Sequence, residues 1–520
     1  MGRLRIDYHA IMPDLLDRSA GVLLHPTSLP SRFGIGDFGP EATRYLKWLA
    51  EAGVGWWQVL PLHPAGPGRS PYSATSTFAG EELLINPELL VEEGLLGAED
   101  LEPAPDLPEE WVDYPAVERW KDELLHAAFR RHRAQPRVDL LQEMASFRES
   151  EGHWIEDYAV FAALKRFHDH RPWYDWPRPL AHRDPGALKS WTADHRWEIE
   201  RVVFGQFLFF RQWTAVRQAA GKAGISILGD VPIFVALDSA DVWARPELFL
   251  LNDDRQPMVV GGAPPDYFSS TGQLWGNPLY DWDRMAEDGY AWWIARLRHE
   301  LELADAVRID HFRGFAAHWE VPADHDVATH GRWVPGPGRD FFEAVAEALG
   351  GLPLVAEDLG EITEDVVELR KGLGLPGMAI LQFAFNPRDR SLFLPYRLEP
   401  DLVVYSGTHD NNTTLGWYLE DADDDERRFV RDYCGSDGSE VNWDFIRLAM
   451  ASVARIAIVP HQDLAGLGSD CRMNTPAVAE GNWTFRITEW MLSREIRNRL
   501  ADLIRIFGRL ADSDEVNSDQ

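Results

Sequence analysis

Cysteine is almost absent from this chain of 520 residues, in which Cys434 and Cys471 are the only two. Two cysteines permit one disulfide bond, but they exclude a disulfide framework and a zinc site built from several cysteines. The spacing of His, Cys and acidic residues elsewhere in the sequence indicates no metal cluster. We therefore expect a protein without a bound metal.

Long hydrophobic runs are also missing. No uninterrupted apolar stretch reaches the roughly 20 residues that a transmembrane helix needs. Residues 1–18 are polar and charged, and they lack the apolar centre of a secretory signal. The sequence therefore predicts a soluble protein of the cytoplasm.

Positive charge is scarce as well, because lysine occurs only six times in the chain. The 84 Asp and Glu residues outnumber the 51 Lys and Arg residues, which gives a formal net charge of -33. Nucleic-acid phosphates and anionic membrane surfaces both require basic patches. The charge balance argues against both as partners, whereas a neutral substrate would be indifferent to it.

What the sequence does contain is a regular alternation of short apolar strands with longer helical patterns, which is typical of a parallel α/β sheet or barrel. Eight is the number of strands that a (β/α)8 TIM barrel requires. We therefore predict a single catalytic barrel over residues 1–520. The eight predicted strands are residues 21–24, 55–60, 225–230, 306–310, 354–357, 379–382, 402–405 and 455–459.

Two long segments interrupt this alternation. Residues 61–201 carry mostly helical patterns and are predicted to form one or two subdomains around the C-terminal rim of the barrel. Residues 231–300 follow the third strand, and most of this stretch is dense in Gly, Pro, Asn and aromatic residues with little periodicity. Such a composition favours an active-site loop or insertion. Residues 512–520 are expected to be a disordered tail.

The predicted strand at residues 306–310 ends on a carboxylate. Arg308 and Asp310 are two positions apart, so their side chains share one face of the strand. A guanidinium beside a carboxylate keeps it ionised and lowers its pKa, and an oriented, ionised Asp is a candidate nucleophile. A purely structural Arg–Asp pair explains this motif equally well when it is taken alone.

Four carboxyl groups, those of Asp230, Asp310, Glu357 and Asp410, stand at or just after predicted strand ends. The C-terminal strand ends of a barrel converge on one face, where catalysis takes place. Gathering four like charges there costs stability unless function requires it. Four unrelated, solvated acids remain the alternative interpretation.

Glycoside cleavage needs two carboxyl groups that flank the scissile bond. Asp310, beside Arg308, suits the ionised role. Glu357 follows apolar residues, and such surroundings raise the pKa of an acid so that it can protonate a leaving group. His409, next to Asp410, could hydrogen-bond sugar hydroxyls, and the flat indoles of the 22 tryptophans suit sugar rings as well as core packing.

A set of motifs extends this interpretation over nearly the whole chain. They lie at residues 25–30, 70–73, 229–233, 264–269, 273–278, 308–313, 356–360, 407–411 and 481–483. In content and order they resemble the amylomaltase, or disproportionating-enzyme, family of 4-alpha-glucanotransferases within the alpha-amylase clan. The Arg-x-Asp, Glu and His-Asp motifs alone would indicate only the clan, but the whole set is specific to the family.

The resemblance implies an enzyme that transfers a segment of an α-1,4-glucan to the 4-hydroxyl of an acceptor glucan or glucose. It implies a retaining mechanism through a covalent glucosyl-enzyme and no cofactor. The implied catalytic residues are Asp310 as nucleophile, Glu357 as general acid/base and Asp410 as the third acid. The implied substrate-binding residues are Arg308, which orients the nucleophile, His409, Asp230 and Tyr72 at the sugar before the cleaved bond, and Tyr267, Phe268 and Trp275 on a loop over the acceptor side.

Two other functions are compatible with parts of this pattern. An alpha-amylase-type retaining hydrolase shares the carboxyl groups, so only the acceptor side distinguishes it from a transferase. A catalytically inactive glucan-binding protein is disfavoured because all three catalytic acids are present. For each of the three loop aromatics, packing within the loop is an equally good explanation of its presence.

Overall fold

A computed structural model of the protein describes residues 17–265, 270–388 and 391–510. Eight of the strands form one parallel sheet, and four form a smaller antiparallel sheet. In chain order the strands are β1 (Ser19–Leu23), β2 (Trp56–Gln58), β3 (Ser226–Pro232), β4 (Val259–Ala263), β5 (Gln273–Pro278), β6 (Ala306–Asp310), β7 (Ala317–Pro322), β8 (Arg332–Pro335), β9 (Leu354–Ala356), β10 (Gly377–Ile380), β11 (Leu402–Tyr405) and β12 (Ile456–Pro460).

The parallel sheet has the order β10-β11-β12-β1-β2-β3-β6-β9. Its two outermost strands, β9 and β10, come together at the seam. There the backbone N–H of Ala356 donates to the carbonyl of Pro376 at 2.9 Å, and the N–H of Met378 donates to the carboxylate of Asp358 at 2.8 Å. The sheet therefore curls into a nearly closed cylinder, which confirms the predicted (β/α)8 TIM barrel.

Helices surround the cylinder and build the insertions. The helix Pro40–Glu51 begins with proline at its first position, where no backbone N–H is needed. The α-helices of the described residues are Pro40–Glu51, Pro87–Glu92, Tyr114–Ala134, Val138–Ser150, Ile155–Phe167, Arg178–Ala181, Pro185–Asp194, Arg196–Lys222, Ala240–Ala244, Trp282–Glu287, Ala291–Leu303, Gly338–Leu349, Glu364–Gly372, Thr414–Gly416, Asp424–Cys434, Val441–Ala451, His461–Ala465 and Arg494–Ile506.

The strand boundaries agree with the sequence prediction to within a few residues, and two differences concern the site. β3 runs to Pro232, so Asp230 lies inside the strand and not at its end as predicted. β9 ends at Ala356, so Glu357 is the first residue after the strand. Pairing with β6 explains the longer β3, because its register continues from Asp230 opposite Arg308 to Pro232 opposite Asp310.

The smaller sheet, of order β5-β4-β7-β8, was not predicted. Two of its strands, β4 and β5, lie in the segment after β3 that was interpreted as irregular loop. Glycines at 261 and 262 conceal the strand pattern of β4. Gly262 is needed there because a Cβ atom would lie only 2.4 Å from the carbonyl oxygen of Gln273 on β5.

The space between the barrel strands and the surrounding helices is packed with apolar side chains, and there the ring of Trp57 lies 5.4 Å from that of Tyr45 on the helix Pro40–Glu51. Trp57 on β2 is wholly buried, and its indole N–H donates to the carbonyl of Leu24 at 2.7 Å, which satisfies its one polar atom. Cys434 and Cys471 are free thiols, so the disulfide bond that the sequence permitted does not form. Among the described residues, no helix is both long and apolar enough to cross a membrane.

Candidate active site

The register of three adjacent strands brings the predicted acids to one place. β3 and β6 pair in parallel with Asp230 opposite Arg308, and β6 pairs with β9 so that Arg308 lies opposite Val355. Asp310 is the last residue of β6, and Glu357 directly follows β9. Because parallel strands end at the same rim, their side chains meet at the C-terminal mouth of the barrel.

Arg308 is the centre of this group. One terminal nitrogen of its buried guanidinium, Nη1, donates to both carboxylate oxygens of Asp230 at 2.8 Å. The other, Nη2, donates to Oδ1 of Asp310 at 2.8 Å. Burial by itself would lower the pKa of Arg308, but the charges of Asp230 and Asp310 outweigh it and raise that pKa well above its usual range. The arginine is a fixed cation that orients both acids.

Glu357 is held by backbone donors. Its Oε2 accepts a hydrogen bond from the N–H of His311 at 2.7 Å, and its Oε1 accepts one from the N–H of Leu359 at 2.9 Å. Burial and the charge of Asp310 raise the pKa of Glu357 to about 7, although Arg308 and the two N–H donors act in the opposite direction. Glu357 can therefore both donate and accept a proton near neutral pH.

Asp230 lies behind this pair, with a side chain that is 0% exposed. The hydroxyl of Tyr72 donates to its Oδ2 at 2.7 Å. Burial and the neighbouring charge of Asp310 raise the pKa of Asp230 to about 6, against the opposing effect of Arg308. With both oxygens engaged inside the protein, Asp230 positions Arg308 and Tyr72.

Tyr72 connects this group to the opposite side of the mouth. Its ring stacks on the imidazole of His409 with centroids 5.0 Å apart and an interplanar angle of 9°. Trp483 completes the wall, with its ring centroid 6.0 Å from that of Tyr72 and 5.9 Å from that of His409. Trp483 belongs to the sequence motif at 481–483, but it was not assigned a function.

Asp410 is more accessible than Asp310, with side-chain exposures of 46% and 31%. Its Oδ2 lies 3.3 Å from Nε2 of His409, and its Oδ1 accepts a hydrogen bond from the amide of Asn474 at 2.6 Å. The partial burial of this carboxyl in the mouth would raise the pKa of Asp410, but His409 and Asn474 outweigh it and lower that pKa well below its usual range. Asp410 therefore stays ionised.

Two residues at this side were missed by sequence reasoning. Asn474 holds the carboxylate of Asp410, and the guanidinium of Arg472 donates to the backbone carbonyl of Asp410. Asn474 comes 64 residues after Asp410 in the chain. No local spacing in the sequence connects the two residues. The available signal was that Asn474 lies close in the sequence to the matched motif at 481–483.

Trp275 reaches the mouth from the smaller sheet. It lies on β5 and is 36% exposed, and its ring packs edge-on against the imidazole of His311 at a centroid distance of 4.7 Å. His311 directly follows Asp310 in the chain, so this accessible indole packs against the residue next to the candidate nucleophile. The other two predicted loop aromatics, Tyr267 and Phe268, lie outside the described residues.

The arrangement has the chemical elements of glycoside cleavage. One carboxylate, Asp310, is oriented by a guanidinium, and a neighbouring carboxyl, Glu357, holds a proton near neutral pH. Acid/base roles are separated in this way wherever two carboxyl groups are placed in unlike environments. The accessible carboxylate of Asp410 can accept hydrogen bonds from hydroxyl groups, and the rings of Tyr72, His409 and Trp483 form one wall of the mouth.

Comparisons with known proteins agree with this geometry. The sequence profile of the 4-alpha-glucanotransferase family matches residues 24–492. The 4-alpha-glucanotransferase of Synechocystis is 46% identical over 496 residues, covering 95% of this chain and 98% of its own. That of Thermus thermophilus is 47% identical over 503 residues, covering 95% and 100%.

A solved structure extends the match to three dimensions. The amylomaltase of Streptococcus agalactiae, in complex with acarbose, superposes with a TM-score of 0.92 at 35% identity, covering 95% of this chain and 100% of its own. These matches confirm the resemblance inferred from the motifs. The chain belongs to the 4-alpha-glucanotransferase family.

Proposed function

We propose that the protein transfers a segment of an α-1,4-glucan to the 4-hydroxyl of another glucan or of glucose, with retention of the α configuration. The observation that carries this proposal is the pairing of Asp310, fixed by Arg308 at 2.8 Å, with Glu357, whose pKa is raised to about 7. Family membership favours transfer over hydrolysis as the outcome.

In the first step, a carboxylate oxygen of Asp310 attacks the anomeric carbon of the donor while protonated Glu357 gives its proton to the glycosidic oxygen. The carbon–oxygen bond breaks, and the reducing-end fragment leaves with a new 4-hydroxyl. The product is a covalent glucosyl ester on Asp310. Arg308 donates to Oδ1 of Asp310 at 2.8 Å and so aims the carboxyl group before the attack.

In the second step, the acceptor binds where the fragment has left. Glu357, now a carboxylate, takes the proton from the acceptor 4-hydroxyl as that oxygen attacks the anomeric carbon and releases Asp310. Two inversions give net retention. This double displacement requires carboxyl groups about 5–5.5 Å apart, compared with about 6.5–9.5 Å for an inverting enzyme.

The remaining residues bind the sugars. Asp410 accepts hydrogen bonds from hydroxyls of the sugar before the cleaved bond, and these bonds strengthen as positive charge develops in the transition state. His409 and Tyr72 provide polar and flat contacts to the same sugar. Asp230 acts through Arg308 and Tyr72, because its side chain is wholly buried.

Transfer competes with hydrolysis at the covalent intermediate, where water is abundant. A transferase must hold its acceptor well and leave water badly placed. We assign this task to Trp275, with Tyr267 and Phe268 as further acceptor-side aromatics.

The segment 231–300 is then the active-site insertion, and the largely helical stretch 61–201 forms the outer subdomains. We also propose that the enzyme works in the cytoplasm.

Maltotriose distinguishes the two activities in one experiment. The purified protein is incubated with maltotriose, and the products are separated by length. A ladder of longer glucans together with glucose is expected from transfer. Products that are all shorter than maltotriose would identify an alpha-amylase-type hydrolase, and Asp310→Asn provides the inactive control.

A further inference from the structure

A second cluster of ionisable groups lies on the outer wall of the barrel. Glu151, His299 and Glu302 each place one ligand atom within 4.8 Å of the others. We propose that these three residues bind a divalent transition-metal ion, with Zn²⁺ preferred, and that the ion joins the helical insertion to the barrel.

The three residues come from two separate elements. His299 and Glu302 are three positions apart on the helix Ala291–Leu303, so they lie on the same face of it. Glu151 directly follows the helix Val138–Ser150, which belongs to the long insertion after β2. An ion held by all three would therefore cross-link the insertion to a helix of the barrel wall.

The imidazole of His299 is the observation that indicates a cation. Its side chain is 2% exposed, and Nε2 lies 2.7 Å from the carbonyl oxygen of Phe78. A carbonyl oxygen only accepts, so Nε2 carries the hydrogen. The other nitrogen, Nδ1, is buried without a hydrogen bond to any described residue. It faces Oε2 of Glu151 at 3.7 Å, which is too long for a hydrogen bond.

In its neutral form, which is the form that binds a metal, the imidazole turns the lone pair of Nδ1 towards a carboxylate oxygen, and two acceptors face each other across a gap. Such an arrangement is unfavourable unless a cation, or a water that donates to both acceptors, lies between them. In a tetrahedral zinc site with bonds of about 2.1 Å, two ligand atoms are about 3.4 Å apart. The separation of 3.7 Å between Nδ1 and Oε2 is close to that value.

The surroundings resemble the outer partners of a metal site. Metal-binding histidines usually donate their second nitrogen to a carbonyl or carboxylate, as Nε2 does here to Phe78. Glu151 is oriented by the indole N–H of Trp154, which donates to Oε2 at 2.7 Å. One imidazole and two carboxylates suit Zn²⁺ better than the all-oxygen preference of Ca²⁺ or Mg²⁺.

Glu302 is the exposed member of the set, and the nearby charges of Arg298 and Arg217 also act on it. An ion has to compete with these arginines for its carboxylate. Loss of Glu302 is therefore expected to weaken binding while the protein still folds, which makes it the informative position to change.

The test titrates Zn²⁺ into chelator-treated, full-length protein by calorimetry and follows thermal unfolding in parallel. One equivalent is expected to bind, and the Tm is expected to rise with free Zn²⁺ because the ion binds only the folded state. Glu302→Gln should weaken binding at least about tenfold. Glu149→Gln, an equal change of charge at an exposed position of the neighbouring helix, should behave like the parent.

Cobalt gives an independent measurement, since Co²⁺ in the same site reports imidazole coordination through its visible absorption. That spectrum should be present in the parent protein and lost in His299→Gln. Absence of one-to-one binding in the parent protein would overturn the proposal, and so would equal Zn²⁺ affinities for the parent and Glu302→Gln. Either result would leave a bridging water between Nδ1 and Glu151. If His299→Gln does not fold, the Glu302 and Glu149 comparison decides.

Discussion

The mouth of the barrel has two unlike halves. In one half, Asp230, Arg308 and Asp310 lie on paired strands, and Glu357 directly follows a third strand. Their hydrogen bonds are to one another, to backbone N–H groups and to the hydroxyl of Tyr72. In the other half, Asp410 lies in a loop and is held by residues from a second, distant loop.

The two halves also differ in electrostatics. Burial raises the pKa of Glu357 to about 7, whereas His409 and Asn474 overcome the effect of burial and lower the pKa of Asp410 well below its usual range. We infer that strands fix the groups that exchange bonds and protons, where small displacements are costly. In the proposed mechanism, the loops carry Asp410, which binds hydroxyls and tolerates more movement.

The largest effect is expected from Asp310→Asn in the strand-borne half. An amide cannot form the glucosyl ester, so kcat/KM for maltotriose disproportionation should fall at least about 10⁴-fold. The Tm should change little because the side chain is partly exposed. Residual transfer above about one per cent in a protein of unchanged Tm would show that the nucleophile lies elsewhere.

Glu357→Gln should cost roughly 10²- to 10⁴-fold, the usual contribution of a positioned general acid/base. In the proposed mechanism, the protonated form of Glu357 begins the reaction, and the pKa of this carboxyl is raised to about 7. We therefore expect kcat/KM to fall as pH rises through about 7, and this basic limb should be missing from the variant. An unchanged basic limb in Glu357→Gln would assign it to another group.

The difference between strand-borne and loop-borne residues also decides how well each half can be predicted from the sequence. Residues 306–310 and 402–405 were predicted as strands and are strands with the same bounds, because a buried parallel strand is a short apolar run. Acids next to such runs can be assigned to a common rim from the sequence alone. The register between neighbouring strands then determines which of these acids lie next to one another.

Contacts between distant loops carry no such local pattern. Asn474 and Arg472 contact Asp410 because the chain after β12 returns to it, and hydrophobic periodicity does not encode that path. β4 was missed for a related reason. The close approach of Gln273 requires glycine at position 262, and Gly261 and Gly262 together remove the alternation by which strands are recognised.

Asn474→Ala tests the loop-borne half. Removing a hydrogen bond to a charged group costs about 1.5–3 kcal/mol, and partial exposure of Asp410 favours the lower value. We expect kcat/KM to fall about tenfold, with the pH profile of the parent retained because Glu357 is untouched. Asn498→Ala, at an exposed position of the C-terminal helix, is the control and should leave activity unchanged.

A loss approaching that of Glu357→Gln would break the distinction between the two halves. It would mean that Asp410 must be placed as accurately as the reacting groups. An unchanged rate would mean that the contact between Asn474 and Asp410 at 2.6 Å has no part in binding the transition state.

The smallest effect is expected at Trp275, which belongs to neither half because β5 of the smaller sheet carries it. Trp275→Ala removes an indole that packs against His311 beside the nucleophile. The acceptor sugar then loses a flat contact and water gains access, so the ratio of transfer to hydrolysis should fall a few-fold while total donor cleavage changes little.

Both rates come from one maltotriose digest, in which longer glucans measure transfer and new reducing ends measure hydrolysis. Trp490→Ala, another exposed indole, should leave the ratio unchanged. An equal fall in cleavage and transfer would place Trp275 with the donor-binding residues, and the acceptor side would then depend on other residues.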